Sequence, residues 1–292
     1  MKSLFKNFFK NKNQTNEKRY QEYILPKIKE FRKKIDSKSE ISFLHYGHLG
    51  DIINSLPVIQ ELSKIKKCNL FIEKDKKIPE HVVSKDHPSG RVYLVENSIN
   101  KLIPLLKYQK FLNNVEVYKD QKIDIDLNFF RELPINFNID SVRWYSHLTG
   151  CFPNLTNNYL NVHENSKFQN YVVIMRSLRR QNKQLDFSFL SNYKNLVFVG
   201  LKDEFDDLKF QIKNLEFYDC KDFLELASII RSSKLFIGNL SFGFAIAEAL
   251  KVPRLLESAP NFPLVYPNGN YGYDFYFQVH FEQLVEKLYK LK

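Results

Sequence analysis

The sequence predicts an α/β protein of doubly wound, mostly parallel sheets, and three observations lead there. Short apolar runs of strand length recur along the chain, among them Ile41 to Tyr46, Tyr171 to Met175 and Leu196 to Val199. Stretches with apolar residues at helical spacing lie between them. Residues 234–257, KLFIGNLSFGFAIAEALKVPRLLE, then compress a strand, a turn, a helix and a second strand into one continuous unit. In sheets of this kind ligands bind beyond the carboxyl ends of the strands.

A chain of 292 residues is long enough for two domains, each with its own core. With 43% hydrophobic and 15% aromatic residues it can bury those cores, which argues against a disordered chain. No apolar run approaches the ~20 residues needed to cross a bilayer, and the N-terminus lacks the apolar core and cleavage site of a secretory signal. The expectation is a cytoplasmic protein. Cys68, Cys151 and Cys220 are too few and too widely spaced for a disulfide framework or a zinc site. His45 and His48 lack a second pair of ligands, so no metal is expected. The net charge of +11 suits an anionic partner, whether nucleic acid, an acidic membrane or a phosphorylated sugar. The excess is scattered Lys, and no RRM, zinc-finger or basic-zipper signature accompanies it, so nucleic acid is not expected.

Residues 1–38 read as a basic helical extension. Phe5, Phe8 and Phe9 alternate with lysines in residues 1–12, a pattern that can lie in an anionic membrane interface at its inner face; the alternative is a frayed basic tail. A helix follows around Arg19 to Lys34, bent or divided at Pro26. The first domain, residues 39–160, opens with the strand Ile41 to Tyr46. A Gly-His-Leu-Gly turn leads to a helix opened by Asp51, with Pro57 expected to kink it. Leu70 to Ile72 and Val115 to Tyr118 read as strands around a surface loop (74–92) and a helix (Ile99 to Leu112). Ile123 to Leu127 alternates like an edge strand, with Asp124 and Asp126 expected on its outer, solvated side. A helix from Asp140 to Leu148 ends at Gly150.

The Pro- and Asn-containing stretch 151–168 marks the linker, and the second domain occupies residues 161–292. Its pattern gives strands at Tyr171 to Met175, Leu196 to Val199 and Leu215 to Tyr218, with helices at Phe205 to Ile212 and Phe223 to Ile230. The strand Leu235 to Ile237 gives way to a loop at Gly238 and Asn239, and Ser241 can cap the next helix. Val252 and Pro253 stop that helix before a strand at Leu255 and Leu256. An aromatic-rich section from Pro260 precedes a last helix, Phe281 to Leu291. Arg176, Arg179, Arg180 and Lys183 fall just after the first strand of this domain, at a strand end suited to a diphosphate. Glu248, near a helix C-terminus, is either part of a solvated face beside Lys251 or an acceptor for ligand hydroxyls such as a ribose.

Two stretches also carry a resemblance. GNLSFGFAIAEALKVPRLLE resembles the donor-binding segment of heptosyltransferase-like glycosyltransferases, and HYGHLGDIINSLPVIQEL resembles their N-terminal Leu-Gly-Asp signature. The resemblance implies a GT-B architecture, with two Rossmann-like domains facing across a cleft. It implies an inverting, metal-independent glycosyltransferase that takes a nucleotide sugar and acts on a cell-surface glycan or lipid-linked acceptor. No cofactor beyond that donor is implied. Asp51 matches the catalytic base, with His48 and Gly50 on the acceptor side; the alternative for Asp51 is a helix cap. Arg176, Arg179, Lys183, Gly238, Asn239, Ser241 and Glu248 are expected on the nucleotide-sugar side. The chain departs from the family pattern at Leu240, where the family has Asp, and at Phe242 and Ala245, where it has Gly and His. A non-catalytic nucleotide-sugar-binding module therefore stands as the second hypothesis.

Overall fold

The computed structural model describes residues 16–80, 89–133, 140–259 and 265–291. Residues 1–12, where membrane contact is expected, lie outside the described residues, as does part of the 74–92 loop. The chain folds into two parallel sheets flanked by helices, the two Rossmann-like domains of a GT-B architecture.

A π-helical turn (Tyr20–Ile24) leads into α1 (Leu25–Ser37), with Pro26 in its first turn, where a missing N–H costs nothing. The segment does not stand apart. Ile24, Ile28, Phe31 and Ile35 are buried, and Phe31 meets Phe129 edge-on at 5.6 Å. The first sheet has the order β3-β2-β1-β4, from β1 (Glu40–His45), β2 (Lys67–Ile72), β3 (Asn114–Val117) and β4 (Ile125–Asp126). Its helices are α2 (Leu49–Ser63), α3 (Glu96–Lys107) and α4 (Ser141–Thr149). All pairings are parallel, and Phe43, Leu70 and Ile72 are buried in the layer between helices.

The second sheet has the order β10-β9-β8-β5-β6-β7, again parallel throughout. Its strands are β5 (Val172–Met175), β6 (Leu196–Val199), β7 (Glu216–Tyr218), β8 (Leu235–Asn239), β9 (Arg254–Glu257) and β10 (Gly272–Phe275). Helices α5 (Lys202–Lys209), α6 (Phe223–Ser232), α7 (Phe242–Leu250) and α8 (Gln278–Tyr289) complete it. In each sheet the chain leaves one central strand in one direction and later returns on its other side. These switch points lie between β1 and β4 and between β5 and β8, and ligand crevices form at such points.

Several expectations change. The expected edge strand at 123–127 shrinks to two residues and passes into a 3₁₀ segment, Leu127–Glu132. Of its aspartates, Asp124 is not solvated but buried against Lys38 and the Ser42 N–H, while the half-buried Asp126 accepts from the Asn128 N–H at 2.9 Å. Gly238 and Asn239 belong to β8 rather than to a loop, and β10 arises within the aromatic section. Between 150 and 165 there is neither helix nor strand.

Helix α2 packs on α7 and α3 on α6, so one apolar core runs from the first sheet's helices into the second domain. A second core fills the far face of the six-stranded sheet. Among the described residues no helix is long and apolar enough to cross a membrane.

Candidate active site

The carboxyl end of β1 carries Tyr46 to His48 into the start of α2, and that of β4 carries the 3₁₀ segment with Arg131. The two segments flank the first switch point, and Asp51 joins them. Its Oδ2 accepts from Arg131 Nη2 at 2.9 Å and from the His48 N–H at 3.2 Å. Asp51 is therefore not the residue before the helix but lies in its first turn, closing it through the backbone of His48. The cap contact and the ion pair with Arg131 share one carboxylate oxygen.

Arg131 is itself held. Its guanidinium lies 4.5 Å from the Tyr93 ring centroid and 4.3 Å from that of Phe130, and Nε donates to the Tyr93 hydroxyl at 3.3 Å. Gly47 makes room for the pair. A Cβ there would stand 2.7 Å from His45 Cε1 and 2.9 Å from Asp51 Oδ2, closer than packing allows, and 3.1 Å from Arg131 Nη2. Burial raises the Asp51 carboxyl, but the Arg131 guanidinium, with His48 and His45 beyond it, holds it below the usual aspartate value.

Behind this pair His45 is fully buried. The Gly47 N–H donates to its Nδ1 at 2.9 Å, which fixes the neutral tautomer with the proton on Nε2; that N–H faces the Tyr145 hydroxyl at 2.9 Å. Burial lowers the ring to about 3, so it is neutral in the folded chain. A folded pKa depressed below the unfolded value near 6.5 means the unfolded chain binds the extra proton as pH falls. Stability should therefore drop as pH falls below 6.5, with a slope approaching ~1.4 kcal/mol per pH unit from this residue. Urea unfolding of wild type and His45→Gln between pH 7 and 4.5 checks it, since equal slopes in the two would contradict the assignment.

On the second domain, the loop after β5 and the end of β8 flank the other switch point. Asn239 is fully buried and binds that loop through its amide. Its Oδ1 accepts from the Ser177 N–H at 3.0 Å, and its Nδ2 donates to the Ser177 and Arg179 carbonyls at 2.8 and 2.9 Å. Asn239 thereby shapes the backbone that presents Arg179 and Arg180. Gly238 lets the strands close up, since a Cβ there would meet the Met175 carbonyl at 2.7 Å. Ser241 precedes α7, but its buried hydroxyl has no hydrogen-bond partner among the described residues and does not cap the helix. Lys183 is exposed farther along the loop.

Two expected ligand contacts are engaged elsewhere. Arg176 is buried and forms a two-pronged ion pair with Glu257, Nε to Oε2 at 2.6 Å and Nη2 to Oε1 at 2.8 Å. Glu248 is buried too, against Arg254 Nε at 2.5 Å and Lys251, and it also accepts from the Asn268 N–H at 3.1 Å. It is neither a solvated face nor an open acceptor for hydroxyls. Its place near the C-terminus of α7 is compensated by two cations.

The two halves meet here. A Cβ on Gly50, in the first turn of α2, would lie 4.0 Å from the Ala245 Cβ on α7. Burial and the adjacent Arg179 lower the Arg180 guanidinium, while Asp51 of the other domain pulls it back up. His48, lowered by burial, feels Arg179 in the same way. The start of α2 thus touches α7 at Gly50, and across the same junction Arg180 feels Asp51 and His48 feels Arg179. Arg131, Tyr93 and His45 also belong to this group. Only the buried apolar strand before it hinted at His45, and no local signal marked the other two.

No family model matches the sequence, and a search of curated proteins gives no match. Solved structures do match. A glycosyl transferase family 9 protein from Veillonella parvula superposes over 87% of this chain and 90% of its own, with a TM-score of 0.54 at 11% identity. The E. coli heptosyltransferase WaaC, in complex with ADP-2-deoxy-2-fluoro heptose, covers 85% of this chain and 99% of its own, with a TM-score of 0.57 at 10% identity. The chain has the heptosyltransferase fold. That GT-B frame puts Asp51 on the first domain and the arginine loop on the second, each at the switch point of its sheet.

Proposed function

We propose that this protein is an inverting, metal-independent glycosyltransferase that moves a sugar from a nucleotide-sugar donor to a hydroxyl of a surface glycan or lipid-linked acceptor. The observation that supports this reading is the packing of α2 on α7, which brings Gly50 up to Ala245 and the charge of Asp51 within electrostatic reach of Arg180 across the domain junction. The acceptor hydroxyl gives its proton to Asp51 as its oxygen attacks the anomeric carbon. The bond from that carbon to the diphosphate oxygen breaks, and the electron pair leaves with the diphosphate. Arg179, Arg180, Lys183 and the N–H groups at the start of α7 stabilise that developing charge. Attack opposite to departure inverts the anomeric configuration. Arg176 and Asn239 serve by holding the arginine loop, and Glu248 by anchoring the segment after β9.

The second reading, a binding module without turnover, is favoured by Leu240, which is buried and apolar where the related segment has a carboxylate. Incubation with a panel of nucleotide sugars separates the two: donor hydrolysis or transfer supports the enzyme, and tight binding without turnover the module. In either case Arg179→Ala should weaken nucleoside-diphosphate binding by about 1.5–3 kcal/mol, the worth of a charge-assisted hydrogen bond. Unchanged affinity in calorimetry would remove this loop from the phosphate site.

A further inference from the structure

Asp51 offers its two oxygens unequally. Oδ2 takes both donors, Arg131 Nη2 at 2.9 Å and the His48 N–H at 3.2 Å, while no described residue donates to Oδ1. Arg131 cannot swing freely, because its guanidinium is stacked on Tyr93 and Phe130 and tied to the Tyr93 hydroxyl. Its Nη1 is buried with no hydrogen-bond partner, so Asp51 is its one carboxylate among the described residues. The planar fork therefore fixes the rotation of the carboxylate, which a lysine in the same place would not do.

We propose that Arg131 is the positioning residue of the transfer reaction: it clamps Asp51 through Oδ2 and leaves Oδ1 to receive the acceptor proton, with Tyr93 and Phe130 as the mount that keeps the clamp rigid. This rests on Asp51 being the base. The division of labour has a chemical cost and a benefit. A cation beside Oδ2 makes the carboxylate a weaker base, but it also favours the ionised form, the one able to take a proton. Orientation compensates, because a reacting group misplaced by about 1 Å loses on the order of 100-fold in rate. Five groups set the proton affinity of Asp51: His45 from β1, His48 before α2, Arg131 from the 3₁₀ segment, Tyr145 from α4 and Arg180 from the second domain. His45 is neutral, so Arg131 dominates within the first domain.

The test compares Arg131→Ala, Arg131→Lys and Tyr93→Leu in the full chain, once a donor is found. Arg131→Ala should lower kcat by on the order of 100-fold with donor KM unchanged, and it should move the acid limb of the pH profile to higher pH. Arg131→Lys keeps the charge, so the acid limb should stay near wild type while most of the rate loss persists. Tyr93→Leu should lower kcat in the same direction by less. The Asp51 carboxyl is also titrated directly by carbon NMR, independently of turnover. A wild-type kcat and an unmoved acid limb in Arg131→Ala overturn the proposal. If the titration responds to Arg131 but Asp51→Asn turns over normally, the base assignment fails instead. Should Arg131→Ala not fold, the Lys and Tyr93 variants decide: full activity in both rejects the clamp.

Discussion

Asp51→Asn should reduce turnover by a factor on the order of 10²–10⁴, the usual loss when a general base is removed. Asn keeps the shape and can still accept from the His48 N–H, so α2 should form normally. Its amide cannot take the acceptor proton. The variant should also lose some stability, on the order of 1–2 kcal/mol, because Arg131 exchanges a charged partner for a neutral one. Cap logic alone anticipates almost no change; the ion pair adds the difference. Nucleoside-diphosphate affinity should persist, since the arginine loop is on the other domain. Wild-type turnover in Asp51→Asn would leave Asp51 as a structural anion only.

Glu257→Ala should be the most destabilising single change here. Both side chains of the Arg176–Glu257 pair are almost wholly enclosed, at 4% and 0% exposure. Removing one partner strands a buried cation and costs about 3–5 kcal/mol. It also takes the acceptor from the Asn182 N–H. Replacing both partners, as in Arg176→Met with Glu257→Leu, should recover much of the loss, because two apolar groups need no mutual neutralisation. Chemical denaturation of the single and double variants measures the difference. A double variant no more stable than the single would show that the pair's worth lies in its other contacts.

Most of the fold could be read along the chain because it is locally encoded. Buried parallel strands are continuous apolar runs, and β1, β5, β6 and β8 stand where such runs do. β10 escaped because Gly-Tyr-Asp-Phe pairs on one side only and carries neither an apolar run nor a clean alternation. Gly238-Asn239 has the composition of a turn, yet the Asn amide bonds to the neighbouring loop instead of its own backbone, and the strand continues. The site was legible where it was contiguous, as in Leu49-Gly50-Asp51. It was not legible where the chemistry is pairwise and distant. Arg131 lies 80 positions from Asp51, and Arg176 lies 81 from Glu257. An arginine committed to a buried glutamate and one that feels an aspartate of the other domain look alike in one dimension.

The apolar contact of α2 with α7 and of α3 with α6 bears on how the two domains are joined. Swinging the two halves apart about the 150–165 segment would wet that shared surface, at roughly 25 cal/mol for each Å² exposed. The same side chains that fill the core also fasten one domain to the other, so a substitution that loosens this seam weakens folding and domain docking together.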